Sequence, residues 1–459
     1  MSIDTLWNEV LVKIIEDIYE ISFESAHDLL SLAKCSRRLY GLTLPTLYRN
    51  FTPCKVEDLV IFTRTIFTTP EIAPFVNSVN THKFEAFDHV YPRYIVSGAI
   101  HLESSSIDSE TENFTPTNSE NIYVVLEEIL HRLANEKRLS ESWTAWMEQV
   151  KYLPQWSTLA LLLCLLPRVK SLRLPRYSDI NEARFFGEFI KKISNIQDCS
   201  TLRVPPLKTL EKIDDTRFSP RHHPEKGLRT VPSFLALKSL KSFEVKHLLA
   251  PSNFVQMVGQ AEYTLTEFYI RSSIFPKSCI IPLLKRCSQL EVFHFETDFH
   301  EGIWDTDCSP WDIIDGLSHL KHRLRTLEIR CANDKIEAKQ TWSLAEFKVL
   351  EHLSLEALAV MAWTVTPPLP KYKLSDRVPK SLKSLEFHSV RKYKKRMLNA
   401  LHELNELVDM SENCAPNLKD IKLCSFLDLE PSRSVFVAHP KWSELLGKCK
   451  GKGIEVQIS

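Results

Sequence analysis

One short phrase recurs along most of the chain: a leucine or valine, two further residues, and then two apolar residues separated by a single position. Its clearest copies occupy residues 265–270, 290–295, 324–329 and 350–355, and further copies occupy residues 169–174, 240–245, 382–387 and 418–423. Neighbouring copies mostly lie about 25 to 40 residues apart, which is the spacing of structural repeats that stack on one another. The pattern therefore predicts a solenoid, in which each repeat packs mainly against the next.

The alternating apolar residues of each copy are typical of a β-strand, and helix-like segments such as residues 281–287, 313–320 and 398–410 precede several copies. Strands that are joined through helices in this way run parallel. Within a strand, the apolar side chains point to one side of the sheet and their neighbours point to the other. The sequence thus predicts an α/β fold with a curved parallel sheet, one face of which is polar and accessible.

The N-terminal segment carries helical rather than strand spacing. Apolar residues at positions 10, 11, 14, 15 and 18 fall on one side of a helix. A second helix is predicted to begin near Asp28 and to end near Gly41, and residues 44–48 form a short third segment. Three helices this short bury only a small core, so a module of this kind usually depends on a partner.

Two runs of this segment carry a family resemblance. Residues 6–9 read LWNE and residues 28–40 read DLLSLAKCSRRLY; together they resemble an F-box. The resemblance implies that the segment docks on the Skp-type adaptor of a cullin-RING ubiquitin ligase. The apolar residues that would make this contact are Leu6, Val10, Leu11, Ile14, Ile15, Ile18, Leu29, Leu30 and Leu32. The alternative is that the segment only caps the open end of the solenoid.

From about residue 160 to the C-terminus, the repeated phrase is similar to leucine-rich repeats, although the asparagine usual after each strand is mostly absent. The whole layout resembles the divergent F-box proteins of filamentous fungi. It implies adaptor-docking helices over residues 1–50 and a substrate-recognition solenoid over residues 51–459. An α/β solenoid of another class is the alternative for the second part.

The function that this resemblance implies is that of a substrate receptor without catalytic residues of its own. Such a chain, in a Skp-cullin-F-box (SCF) ligase, recruits a protein substrate for ubiquitination and proteasomal degradation. The alternative is a scaffold or regulatory protein that uses the same docking helices outside any ligase.

Composition argues against several other classes of protein. The 58 basic and 58 acidic side chains balance, so no global field attracts nucleic acid or an anionic membrane. The longest apolar stretch, residues 159–166, is too short to span a bilayer. The N-terminus lacks a secretory signal, and the 11 cysteines include no Cys-x-x-Cys pair, so we expect reduced thiols in the cytoplasm or nucleus.

Candidate catalytic and metal-binding residues are sparse. His319 and His322 lie three residues apart on a predicted helix near Cys308 and Cys331, but the cysteines lack the paired spacing of a zinc site. The chain has no phosphate-binding glycine loop and no nucleophile elbow. We therefore expect no enzyme activity, cofactor or metal.

The outward-facing positions of the predicted strands are the best candidates for substrate binding. They combine acidic, basic and aromatic residues, a mixture that suits protein recognition better than nucleic-acid binding. The central candidates are Tyr269, Arg271, His294, Glu296, Glu328 and Arg330. Recognition by loops at the rim of the sheet is the alternative.

One insertion interrupts the repeats. Residues 102–121 are rich in serine, threonine and acidic residues and contain no lysine or arginine. Such a composition buries too little apolar surface to order itself, so the sequence predicts a flexible, disordered loop there.

Overall fold

The computed structural model describes residues 6–21, 25–81, 154–174, 186–191, 207–217, 230–250, 253–258, 262–297, 308–330, 343–356, 373–388, 394–424 and 439–458. The chain divides into two compact units, Met1–Thr216 and Arg217–Ser459. The predicted insertion at 102–121 and Cys331 lie outside the described residues. The first unit therefore contains the predicted docking helices together with the first strands of the chain.

The first unit begins with three short helices, α1 (Asn8–Ile21), α2 (Ser25–Cys35) and α3 (Arg37–Leu47), which lead directly into a strand. The other described elements of this unit are strands β1 (Asn50–Phe51), β2 (Ser78–Asn80), β3 (Ser171–Arg173) and β4 (Lys212–Arg217), helices α4 (Val56–Thr68) and α5 (Pro154–Leu165), and the 3₁₀ helix Pro70–Phe75. The four strands pair in chain order, and every pair is parallel.

The break between α2 and α3 corrects the sequence-based prediction of one helix that ends near Gly41. Ser36 has an extended backbone, and its side chain accepts a hydrogen bond from the main-chain N–H of Leu39. This N-cap starts a new helix, because it satisfies one of the donors that the first turn leaves unpaired. Gly41 consequently lies inside α3, and the predicted third segment is the end of this helix.

Some of the predicted docking residues are buried in the core of the three-helix module, and others are exposed at its surface. Leu11, Ile15 and Leu29 are only 2%, 1% and 0% exposed, so they pack within the module itself. On the same helices, Val10, Ile14 and Leu30 are exposed, while the remaining members of the predicted set are partly buried: Leu6, Ile18 and Leu32. A polar substitution at Leu11 or Ile15 would therefore disrupt the fold of the module rather than test a docking contact.

The buried and exposed leucines of α2 give a direct test of this division. We expect Leu29→Ala to lower the free energy of unfolding by about 2 to 5 kcal/mol, because it removes a fully buried side chain and leaves a cavity. The adjacent Leu30→Ala should change it by less than about 0.5 kcal/mol, since Leu30 lies at the surface. Hydrogen exchange of the α1–α3 amides in the full chain measures both effects. Equal losses of protection in the two variants would contradict the observed packing.

The second unit has eight described strands that pair in chain order, again always in parallel. These strands are β5 (Ser242–Lys246), β6 (Glu267–Ser273), β7 (Val292–Thr297), β8 (Thr326–Arg330), β9 (His352–Glu356), β10 (Ser384–His388), β11 (Asp420–Cys424) and β12 (Glu455–Ile458). The α/β class and the parallel strand order predicted from the repeated phrase are thus confirmed.

Helices connect or flank these strands, as the solenoid pattern predicts. Those described are α6 (Thr230–Leu235), α7 (Phe254–Val258), α8 (Lys277–Lys285), α9 (Pro310–Gly316), α10 (Lys394–Cys414) and α11 (Pro440–Gly451), with short 3₁₀ helices at Ser318–Leu320 and Leu374–Asp376. Among the described residues, no helix combines the length and the apolar character that a membrane span needs.

The two apolar positions of each phrase form two buried ladders across the second unit. Phe243, Phe268 and Phe293 are aligned by register, with ring centroids 5.9 Å and 6.0 Å apart. Leu327 and Leu353 continue the same row. Because side chains alternate along a strand, burial of these rows directs the intervening polar residues to the opposite face.

Candidate functional site

The outward side chains of β5–β11 form one continuous row in the second unit, which we call the polar strand face. The strand register places one residue from each strand side by side in this row: Glu244, Tyr269, His294, Glu328, Ser354, Glu386 and Lys422. Neighbouring strands in a sheet lie about 4.8 Å apart, so adjacent members of the row are within contact distance. The six substrate-binding residues predicted from the sequence all lie on β6, β7 and β8, in the middle of this face.

A cluster of opposite charges lies where β5 meets β6. The Nε atom of Arg271 is 3.1 Å from Oε1 of Glu244, and the Nζ atom of Lys246 is 3.3 Å from the same oxygen. Glu244 is mostly buried, whereas Arg271 remains almost half exposed. The pairing holds the Arg271 guanidinium in one place and leaves part of it accessible to another molecule.

Tyr269 lies next to this cluster and links it to β7. Its hydroxyl donates a hydrogen bond to Oε2 of Glu267 over 3.3 Å, and its ring centroid is 4.7 Å from that of His294. The guanidinium carbon of Arg271 lies 5.9 Å from the centre of the tyrosine ring. Burial, together with the nearby charge of Glu267, raises the pKa of Tyr269 to about 12. The hydroxyl therefore stays protonated at neutral pH and acts as a donor.

Glu328 forms the centre of the polar strand face. Its Oε2 is 2.5 Å from Nδ1 of His294, and its Oε1 is 2.5 Å from Nη2 of Arg330. Burial raises the pKa of this carboxyl, but the hydrogen bond from His294 and the charges of His294 and Arg330 outweigh burial and leave the pKa below its ordinary value of 4.5. Glu296 lies opposite Arg330 in the strand register.

The lowered pKa of Glu328 makes this ion pair sensitive to acid. A carboxyl whose pKa is lowered by folding stabilises the fold fully above its ordinary pKa, and this contribution is lost as the pH falls through the folded value. We expect Glu328→Gln to be about 1 to 2 kcal/mol less stable than the wild type at pH 7, with a smaller difference at pH 3. Urea unfolding at the two pH values measures this. A difference that does not change with pH would mean that the charge of Glu328 contributes nothing.

At the β10–β11 end of the polar strand face, a second cluster forms around Glu386. Its Oε1 is 3.0 Å from Nε2 of His388, and it accepts a hydrogen bond from Sγ of Cys424 over 2.9 Å. Nε2 of His388 is also 3.0 Å from Oγ of Ser354. The hydrogen bond with His388 is the main reason why the pKa of Glu386 falls to about 2, and the bond from Cys424 and the charge of Arg330 add to it.

Sequence reasoning did not single out this second cluster. Glu386 and His388 were two of many outward polar residues, and Cys424 has no motif around it. Only the alignment of β10 with β11, which places Cys424 directly beside His388, brings the three side chains together. The side-chain contacts between these two consecutive strands were the missing information.

The N-terminal helices carry a different kind of surface. Trp7, Val10 and Ile14 are 77%, 45% and 38% exposed; Val10 and Ile14 lie four residues apart on one side of α1, and Trp7 immediately precedes the helix. Leu30 on α2 and Tyr40 on α3 are also large and exposed. We call these five residues the exposed docking surface. Large apolar residues left exposed on all three helices of one small module are typical of a protein-interaction site.

Arg38 fixes the start of α1 beside this surface. Its Nε and Nη2 atoms donate to Oδ1 of Asn8 over 3.0 Å and 2.8 Å, and Nη2 also binds the main-chain carbonyl of Leu6. The contacts join α3 to the residues on either side of Trp7. They position the Trp7 main chain even though most of the tryptophan side chain is exposed.

No protein-family model matches the chain, and none of the curated proteins matches it. The exposed docking surface and the polar strand face are therefore the features of the molecule that bear on its function.

Proposed function

We propose that this chain is the substrate-recognition subunit of a Skp-cullin-F-box ubiquitin ligase. The observation that carries the proposal is the exposed docking surface. Leu11, Ile15 and Leu29 supply the core of the three-helix module, and yet large apolar side chains remain on its outside. Exposure of this kind is costly unless a partner covers it, and the F-box resemblance of residues 6–40 makes a Skp-type adaptor the best candidate.

In this proposal, the exposed docking surface binds the adaptor through Trp7, Val10, Ile14, Leu30 and Tyr40. Aromatic and large apolar side chains are the usual anchors of protein interfaces. Leu11, Ile15 and Leu29 act indirectly, because they hold α1 and α2 at the angle that presents the anchors. The partly buried members of the predicted docking set are assigned to the edge of the contact: Leu6, Ile18 and Leu32.

The polar strand face is proposed to hold the protein substrate. Its acidic and basic side chains are already paired and only partly exposed, as in Glu244–Arg271 and Glu328–Arg330. Such a surface favours a partner with complementary charges at fixed positions over a uniform polyanion such as nucleic acid. Arg271 and Tyr269 offer an accessible guanidinium and a half-buried ring, which are the residue types most often found at interface hot spots.

The chain itself takes no covalent part in ubiquitin transfer under this proposal. The activated thioester is on the ligase's ubiquitin-carrying partner, and the bound substrate presents a lysine to it. Holding the two groups in one complex converts a bimolecular encounter into an effectively local one. The contribution of this chain is therefore binding and positioning.

Affinity purification of the full chain from cells with the proteasome inhibited tests the proposal. The expected result is that a Skp-type adaptor and a cullin both co-purify, together with ubiquitinated clients. Recovery of the adaptor without cullin would instead support a scaffold that works outside the ligase. Absence of both proteins would overturn the proposed function.

A further inference from the structure

Three potential metal ligands of different chemical type meet where β10 pairs with β11. The donor atoms of Glu386, His388 and Cys424 all lie within 4.8 Å of one another. They are the only such group of three among the residues that the structure describes. From this geometry we propose that Glu386, His388 and Cys424 form a binding site for a zinc ion.

The chemistry of the donors favours zinc over other divalent cations. Zinc binds thiolate, imidazole and carboxylate in tetrahedral sites, whereas calcium and magnesium prefer sites made entirely of oxygen atoms. Thiolate ligands in particular select softer metals. A site with one sulfur, one nitrogen and one oxygen donor therefore selects against the hard cations.

The strands hold these donors in place before any metal binds. His388 and Cys424 are directly paired in the register of β10 and β11, and Glu386 lies two residues before His388 on the same face. Only 12% of the His388 side chain and 27% of the Glu386 side chain are exposed. Little conformational entropy is lost on binding because main-chain pairing fixes both strands.

The charge balance of the cluster also fits a divalent cation. The Glu386 carboxylate supplies one negative charge beside the donor atoms of His388 and Cys424. Together with a Cys424 thiolate, it neutralises the two charges of zinc. Arg330 is 4.0 Å from Glu386 but is bound more closely by Glu328, at 2.5 Å, so its charge is largely compensated.

Metal binding replaces contacts that the three side chains make with one another. The Cys424 thiol, which donates to Glu386 over 2.9 Å, loses its proton to solvent, and its sulfur then binds the metal together with the Glu386 carboxylate and the His388 nitrogen. Three protein ligands leave the fourth position of a tetrahedral ion open. Water or a donor atom of a bound protein would occupy that position.

Zinc titration of the full chain, after treatment with a chelator, tests the site independently of any ligase activity. The expected result is one tightly bound zinc per chain in competition with a chromophoric chelator. Cys424→Ser and His388→Gln should each weaken binding by at least about tenfold. Matched controls are Cys414→Ser and His402→Gln, which change a half-buried cysteine and a partly exposed histidine of α10 outside the cluster. Both controls should bind zinc as the wild type does.

Cobalt substitution identifies the sulfur ligand. A cobalt ion bound by Cys424 gives a thiolate-to-metal charge-transfer band in the near ultraviolet, and Cys424→Ser should abolish this band while Cys414→Ser retains it. Circular dichroism of each variant verifies that the fold is kept. The proposal is overturned if the wild-type chain binds no zinc, or if the band persists in folded Cys424→Ser.

Discussion

A Val10→Asp, Ile14→Asp double variant is expected to lose affinity for a Skp-type adaptor by on the order of 100-fold or more while its helices stay folded. Both side chains lie on the exposed docking surface, so the change removes two apolar anchors without opening the core. At an interface, each introduced carboxylate would also have to give up its water without gaining a partner. Titration calorimetry with purified adaptor measures the loss directly.

The matched control for this double variant is Leu446→Asp. The exposed fraction of Leu446 is 40%, similar to the 38% of Ile14, but Leu446 lies on α11 in the second unit. It should bind the adaptor with wild-type affinity, which would show that an added surface charge alone is harmless. Unchanged binding of the folded Val10→Asp, Ile14→Asp variant would remove the basis for the ligase proposal.

The need to choose Val10 and Ile14 shows what helical spacing could and could not predict. The apolar stripe of α1 is wide enough that Val10, Leu11, Ile14 and Ile15 all fall on it, and nothing in their spacing separates buried from exposed members. Packing against α2 and α3 distinguishes them, because it buries Leu11 and Ile15 and leaves Val10 and Ile14 exposed. Amphipathic spacing thus identified the helix, whereas its buried and exposed halves depend on tertiary contacts.

The boundary between α2 and α3 shows a second limit. A glycine near the end of an apolar run is a common stop signal, and this led to a predicted end at Gly41. Ser36 is an equally common start signal, and its side chain caps α3 instead. Two local signals competed within six positions, and the one that satisfied a main-chain donor in the folded chain prevailed.

The repeated phrase predicted the second unit more fully. Each copy encodes a strand, its inward pair and its outward neighbours, so the placement of Tyr269, His294 and Glu328 on one face followed from the sequence. The partner of each side chain did not follow. That Glu328 binds both His294 and Arg330, or that Cys424 reaches Glu386, depends on the register and rotamers of separate strands.

Contacts around Tyr269 and Arg271 explain why this pair is the most informative place to test substrate recognition. Arg271 is held by Glu244, and Tyr269 is held between Glu267 and the ring of His294. Both side chains are therefore ordered before a partner binds, which lowers the entropy that binding must overcome. Neither belongs to the buried ladders, so their removal leaves the core of the unit intact.

A Tyr269→Ala, Arg271→Ala double variant is therefore expected to unfold at nearly the wild-type temperature and to bind adaptor normally. It should capture clients at least about 30-fold more weakly, because truncation of a single interface hot spot costs about 2 kcal/mol or more. Client ubiquitination in a reconstituted ligase should fall with capture. Lys422→Ala is the matched control, since Lys422 lies on the same face but five strands away, at β11, or about 24 Å at the usual strand spacing. If the double variant captures and modifies clients at the wild-type rate, recognition lies on the loops at the rim of the sheet and not on the face around Tyr269.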